Sequence, residues 1–350
     1  MPPRLMEESD NASRDRLEQV AGLWSACSCL QLWCSQHNSA PLIVSLNGHK
    51  VLMAGITCLW RHCFQSPTLF QPLPLVLHAM PICLLALEAC VLLVPDCKLQ
   101  LYQSTTWLSG MAQSLRHPLQ QSLRCPSSLP REALPLLQQA LRFLVSLTND
   151  NSMLTQQAAA TGLLQLGLMA FEKDDGPSPG LSWASPDHLD MLLLSIGLLM
   201  NIVEGTPSII AQLPSELLHN VACCFLHHEA AGEVPPSEDA SEDQAAGLTV
   251  TATAAQTQAM EHAVVSAYVA LLWGLLLADS SDPARSGAVT HSRRLLPGGT
   301  FLGPAAAVVA LMEFHMNVEL FTPSSHASML HVLEIFKGLD GGAESSPAGE

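Results

Sequence analysis

The chain has 350 residues, which is enough for two average domains or one elongated repeat array. Hydrophobic residues make up 48% of it and charged residues 13%, and 31 acidic against 15 basic side chains give a net charge of −16. This balance excludes a basic nucleic-acid-binding surface as the main function, because phosphate contacts require clustered lysine and arginine. It also excludes disorder of the whole chain, because so apolar a sequence buries its side chains where it can.

The composition predicts an all-α fold, since leucine and alanine abound while aromatic residues are only 5%. Residues 1–15 are polar and predict a disordered tail, as do residues 339–350. Residues 229–258 begin with an acidic, proline-containing stretch that lacks basic residues, and we predict a disordered insertion there. The remainder of 16–338 is predicted to form one helical repeat domain.

Four apolar helices are predicted in chain order, each ending in a short polar turn. They cover Leu84–Pro95, Leu136–Asn151, Leu192–Thr206 and Val264–Ser280. Aligning Cys90, Ser146, Asn201 and Gly274 gives spacings of 56, 55 and 73 residues. Helices that are apolar over most of their circumference need neighbours on both sides, and stacked repeats provide them. We therefore expect an elongated array of armadillo or HEAT type, an α-solenoid lengthened by loops.

Two turns between these helices have recognisable chemistry. Asn149, Asp150 and Asn151 can adopt left-handed geometry and cap the next helix. The second turn is predicted to place Gly205 just after one helix and Thr206 as the N-cap of the next, which has proline at its first position. Both turns predict one helix ending and another beginning within a few residues.

The sequence does not predict a membrane span or a secretory signal. The longest uncharged apolar run, residues 263–278, has sixteen residues, whereas a span needs about 20. No cluster of lysine and arginine flanks it. The N-terminus lacks an apolar segment, so the 11 cysteines are expected to be reduced thiols in the cytosol or nucleus. A multi-helix membrane protein remains an alternative interpretation.

Several short patterns resemble catalytic or metal sites, and each has a simpler explanation. A G-x-S-x-G match at residues 176–180 lies in a proline-rich acidic loop rather than between a strand and a helix. Candidate metal ligands have unfavourable spacing or no second pair. They are Cys27, Cys29, Cys34 and His37; Cys58, His62 and Cys63; and Cys223, Cys224, His227 and His228, which we interpret as a capped helix end. We predict no catalytic residue, metal or cofactor.

Four stretches, in order, resemble the wings apart-like (WAPL) family of cohesin-release factors. The resemblance covers about residues 141–336, and its stretches are LRFLVSLTNDN at 141–151, IGLLMNIVE at 196–204, MEHAVVSAYVALLWG at 260–274 and LLPGGTFLGPAAAVVALMEFHMN at 295–317. Residues 1–140 match only as a generic helical repeat. The family's Phe-Gly-Phe docking motif and long N-terminal region are not found in this sequence.

The resemblance implies a nuclear, chromatin-associated, non-enzymatic protein that binds cohesin subunits, promotes release of cohesin from chromatin and so controls sister chromatid cohesion. It implies that Met260, Glu261 and Val264 contribute to the partner surface. Packing on an adjacent repeat is the other explanation for the same side chains.

The remaining motif residues are expected to be structural. Asn149, Asp150 and Asn151 would serve as caps, and Asn201, followed by Glu204 in the second stretch, would bridge backbone groups of stacked helices. Tyr268 would be a core residue with a satisfied hydroxyl. The alternative function is a generic armadillo-type adaptor that holds an unrelated protein or peptide. Direct contact with nucleic acid is not expected.

Overall fold

The computed structural model describes residues 40–64, 74–103, 106–124, 133–172, 189–214, 216–232, 254–278, 283–318 and 322–341. This part of the chain is about 91% helical and contains no strand, so the predicted all-α class is confirmed. The chain divides into two compact units, Met1–Met169 and Ala170–Glu350.

Eight helices are described in the first unit, here called unit 1. They are α1 (Ala40–Ser45), α2 (Gly48–Phe64), α3 (Pro74–Leu93), α4 (Pro95–Tyr102), α5 (Thr106–Arg124), α6 (Ala133–Thr148), α7 (Ser152–Ala160) and α8 (Leu163–Leu168). Helix α3 packs against α6, and α2 packs against both α3 and α5. Leu84 and Leu87 of α3 and Leu141 and Phe143 of α6 are fully buried, as the apolar pattern of the two helices predicts.

The second unit, unit 2, is built around one apolar helix. Its helices are α9 (Leu189–Gly205), α10 (Glu216–Gly232), α11 (Ala254–Leu277), α12 (Pro283–Leu295), α13 (Leu302–Asn317) and α14 (Pro323–Gly341). Helix α11 contacts α9, α10, α13 and α14, which explains why Val269 to Leu277 are apolar or small throughout. Gly274 is required there, since a Cβ atom at this position would lie 2.3 Å from Cγ1 of Val332 on α14.

The first predicted turn is confirmed, and the second needs one correction. Asp150 has a left-handed φ of 50°, and Asn151 is the N-cap of α7, where its side chain accepts a hydrogen bond from the backbone N–H of Leu154. Gly205, in contrast, is the last residue of α9 and has no positive φ. It does not lie just after the helix as we predicted, whereas Thr206 is the N-cap of the 3₁₀ turn Pro207–Gln212, which begins with proline as predicted.

Helices extend into both ends of the predicted acidic insertion. Helix α10 continues to Gly232 and α11 begins at Ala254, so residues 229–232 and 254–258 are helical. At the C-terminus α14 likewise continues to Gly341, past the predicted start of the tail at 339. Alanine residues at the two edges of the insertion favour helix over loop. Residues 233–253, 1–15 and 342–350 lie outside the described residues.

One described helix has the length and composition of a membrane span. Gln256–Leu277 has a mean hydropathy of 1.6, and 72% of its most apolar window is buried by the rest of the protein. The pair Met80–Leu93 and Pro95–Tyr102, bent by 115°, would make a second candidate if counted as one segment. The helix is longer than the uncharged run in the sequence, so length does not argue against a span. Its burial is what a core helix shows.

Candidate functional site

The residues that the resemblance assigns to a partner surface lie on the second and third turns of α11. We call Met260, Glu261 and Val264 the α11 patch. The Met260 side chain is 55% exposed, Glu261 is exposed and Val264 is half-buried. Met260 and Val264 are four residues apart and therefore share one helix face. The patch combines a flexible apolar side chain with a carboxylate on the surface of unit 2.

The α11 patch lies at the start of a helix whose later part is almost entirely buried. His262 and Val265, on the same turns, point inward and are at most 5% exposed. The patch is therefore held on a rigid support, because the inward face of α11 is fixed by packing. Met suits an adaptable contact surface, since its unbranched chain and polarisable sulfur fit irregular partners.

The turn between α6 and α7 has the structural role that we expected. The carbonyl oxygen of Asn149 accepts a 2.6 Å hydrogen bond from Nζ of Lys98, which lies on α4. Burial lowers the pKa of Lys98, and the nearby carboxylate of Asp150 partly offsets this effect. The lysine thus satisfies a carbonyl at the end of α6, where a cation is also favoured by the helix dipole.

Beside this turn lies an open groove of about 430 Å³ on the surface of unit 1. We call it the α4–α7 groove. Leu99 and Met153, which line it, are 50% and 47% exposed, and Lys98 and Asp150 supply one charge of each sign. The remaining lining residues are Val91, Leu92, Pro95, Tyr102, Asn149 and Asn151. Sequence reasoning did not identify this groove, because its walls come from segments about 50 residues apart.

The other residues named from the sequence are not part of the α11 patch. Asn201 is half-buried and Glu204 is exposed, both on α9. Tyr268 is half-buried, and its hydroxyl lies 3.5 Å from Nε2 of His315. Burial raises the pKa of Tyr268, which agrees with the predicted core position and a partnered hydroxyl.

A buried histidine pair in unit 2 was missed by the sequence reasoning. Nδ1 of His228 on α10 and Nδ1 of His262 on α11 are 2.8 Å apart, and these residues are 0% and 5% exposed. One ring must donate and the other accept, so the pair is joined by a single N–H. The expectation that His227 and His228 cap a helix end is wrong for His228, because α10 continues to Gly232 and its ring lies in the core.

The environment of the pair disfavours positive charge. The pKa of His228 is lowered to about 3, first by burial and then by the neighbouring rings of His227 and His262. Burial and His227 also lower the pKa of His262, while the carboxylate of Glu261 acts in the opposite direction. At neutral pH both rings of the pair are therefore neutral.

The metal candidates of the sequence are only partly described. Cys27, Cys29, Cys34 and His37 lie outside the described residues, as does the G-x-S-x-G match. Cys58, His62 and Cys63 lie on α2, but their side chains are not described. Within the described part of the chain, no group of three or more His, Cys, Asp or Glu side chains has the arrangement of a metal site.

Comparison with protein families and with curated proteins finds no match for this sequence.

Proposed function

We propose that this chain is a nuclear, non-enzymatic regulator that binds cohesin through the α11 patch and promotes release of cohesin from chromatin. Four stretches in family order support the proposal. The observation that carries it is the exposure of Met260 and Glu261 at the start of a helix whose later part, Val265 to Leu277, is almost entirely buried in unit 2.

The chemistry of the α11 patch defines the partner surface that would fit it. Covering the exposed part of Met260 would contribute about 1 kcal/mol, roughly half the value for a fully buried side chain. Glu261 lies beside it and would face a basic side chain of the partner. The chain's net charge of −16 would also steer a basic partner surface toward it, with association that weakens as salt is added.

In this proposal the helices form an armadillo or HEAT-type array. Support comes from the spacing of the apolar helices and from the packing of α3 on α6 in unit 1 and of α10 on α11 in unit 2. Each of these helices has apolar neighbours on more than one side, as stacked repeats require. Such an array acts on the ring by binding one of its conformations more tightly than the other.

The proposal is tested by binding of the purified full chain to purified cohesin. Met260→Glu and Glu261→Arg should each weaken binding about tenfold, corresponding to about 1.4 kcal/mol. Met316→Glu is the matched control, because Met316 is 53% exposed on α13 of the same unit. Its affinity and all melting temperatures should equal those of the wild type. Wild-type chain that binds no cohesin subunit would refute the proposal.

A second candidate function is that of an adaptor for an unrelated peptide, and the α4–α7 groove favours it. The groove combines exposed apolar side chains with Lys98 and Asp150, which suits an extended segment carrying an apolar anchor. Met153→Glu distinguishes the two functions. It should leave cohesin binding unchanged if the α11 patch is the site, and it should abolish capture of a groove-binding peptide selected from a random library.

A further inference from the structure

A thiol and two imidazole rings form a chain on the surface of unit 2. Sγ of Cys223 lies 3.5 Å from Nε2 of His219, which is one turn earlier on α10. Nδ1 of His219 lies 3.2 Å from Nε2 of His291, which is on α12. We call these three residues the Cys223 relay. The contact between α10 and α12 holds the two rings at a centroid separation of 5.2 Å.

The atoms of the relay are consistent with one direction of proton donation. If the thiol donates to Nε2 of His219, the neutral ring carries its hydrogen on Nδ1 and donates it to Nε2 of His291. His219 is then held in position by its second partner. A cysteine hydrogen-bonded to an oriented imidazole is the arrangement that converts a thiol into a nucleophilic thiolate.

The accessibility of Cys223 separates it from the other cysteines with described side chains. Cys83, Cys90, Cys97 and Cys224 are buried, whereas Cys223 is half-buried and retains some exposure to solvent. Its neighbour Cys224 is the sharpest contrast, because burial raises the pKa of that thiol well above its ordinary value. Two adjacent cysteines on α10 thus have opposite environments, one without access to solvent and one at the surface beside a base.

We propose that Cys223 is a reactive thiol and that its substrate class is the hydroperoxides, which oxidise it to a sulfenic acid. His219 accepts the thiol proton, and the thiolate attacks the outer oxygen of the hydroperoxide. An S–O bond forms, the O–O bond breaks, and the alkoxide leaves with the electron pair. The alkoxide takes the proton held by His219 and departs as an alcohol. The sulfur loses two electrons and the peroxide gains them.

This inference is independent of the proposed function, since it requires no partner protein. The first test is the rate at which iodoacetamide alkylates each cysteine of the full chain, measured by mass spectrometry of the peptides. At pH 6.5 Cys223 should react about fivefold faster in the folded chain than in the chain unfolded by guanidinium. The reason is that the fraction of thiolate rises more than the intrinsic nucleophilicity of the thiolate falls. Cys224 should react slowest.

The role of His219 is tested by a crossing pH profile. His219→Gln should slow alkylation of Cys223 about fivefold at pH 6.5, yet leave it as fast or faster at pH 9.5, where the thiol is ionised without help. His291→Asn should change both rates in the same direction but less. His331→Gln, an exposed position on α14, is the control and should change neither.

The oxidation itself is tested with one equivalent of an alkyl hydroperoxide, followed by dimedone to trap the sulfenic acid. The adduct should appear on Cys223 in the wild type and fall several-fold in His219→Gln. Circular dichroism verifies that each variant is folded, and His291→Asn carries the test if His219→Gln is not. Alkylation of Cys223 at or below its rate in the unfolded chain would overturn the proposal, as would equal dimedone labelling of Cys224.

Discussion

A buried polar cluster lies among the described apolar helices of each unit, and the two clusters accommodate their polar groups differently. In unit 1 the carboxylate of Glu88, only 5% exposed, lies between α3 and α6. It accepts hydrogen bonds from the amide of Gln139 at 2.7 Å and the hydroxyl of Ser146 at 3.0 Å, and Arg142 lies 3.4 Å away. In unit 2 the buried pair His228–His262 shares one hydrogen bond and has no cation or anion within it.

The difference shows two ways of avoiding the cost of burying a polar group. Glu88 keeps its acceptor oxygens and is surrounded by donors, so its cost is offset by several partners. The histidine pair avoids charge, and Nε2 of His228 finds no hydrogen-bond partner among the described residues. The stability of unit 1 should therefore depend on the hydrogen-bond partners of Glu88. The stability of unit 2 should depend on a pH at which both histidine rings are neutral.

The largest effect is expected at Glu88. Glu88→Ala removes the acceptor for Gln139 and Ser146 and leaves a small cavity between α3 and α6. We expect the free energy of unfolding to fall by about 3 kcal/mol, measured by urea denaturation at pH 7.5. The loss should be confined to the transition of unit 1, if the two units unfold separately.

Glu88→Gln is the control for size. A glutamine keeps one acceptor oxygen, and the amide of Gln139 can rotate to accept from its N–H group. This variant should lose only about 1 kcal/mol. Equal losses for the alanine and glutamine variants would mean that the charge of Glu88, and not its hydrogen bonds or volume, stabilises unit 1.

The second effect is a loss of stability in acid that originates in the histidine pair. Because the pKa of His228 is about 3 in the folded protein, the unfolded chain takes up a proton near pH 6.5 that the folded chain resists. The contribution of His228 to the free energy of unfolding is fully present above that pH and declines as the pH falls toward 3. Between pH 7.5 and 5.0 this group should cost about 2 kcal/mol.

The double variant His228→Phe plus His262→Phe separates this contribution from that of other groups, such as His49 in unit 1, whose pKa is also lowered by burial. Replacing both histidines leaves no buried ring nitrogen that needs a hydrogen-bond partner. The free energy of unfolding at pH 7.5 should therefore change little. The decline between pH 7.5 and 5.0 should shrink by about 2 kcal/mol. An unchanged decline would show that the pair is not the source.

The sequence predicted the two helices of the Glu88 cluster, but it predicted neither cluster, and it indicated the helix of His228 only as a capped helix end. Apolar periodicity identified the helices that contain Glu88 and Ser146, and it identified the core of α11. No sequence pattern identified Glu88 as a buried carboxylate. Its partners are 51 to 58 residues away, a separation that periodicity does not relate to it. The same holds for His228 and His262, which are 34 residues apart.

Turn chemistry could be read from the sequence where a single residue type decides the geometry. Asn151 is a cap because its side chain reaches a backbone N–H three residues ahead, a purely local interaction. The prediction that Gly205 lies just after the helix was wrong, because a glycine near a helix end permits the left-handed geometry that ends a helix without requiring it. The Cys223 relay combines both cases, since His219 lies one helical turn from Cys223 but His291 is brought in by packing of α12.

The smallest effect is expected at Arg142, the only charged partner of Glu88 among the described ion pairs. Its side chain is 62% exposed, so water already solvates the guanidinium and screens its attraction to the carboxylate. Arg142→Ala should therefore lower the free energy of unfolding by about 0.5 kcal/mol or less, whereas Ser146→Ala and Gln139→Ala should each cost about 1 kcal/mol. Urea denaturation of the three variants at low and at 0.5 M salt distinguishes the contributions. The contrary outcome is a loss of stability for Arg142→Ala that exceeds the losses of the other two variants and disappears at 0.5 M salt. It would show that unit 1 neutralises its buried carboxylate by ion pairing. The contrast with the uncharged histidine pair of unit 2 would then be one of charge rather than of hydrogen bonding.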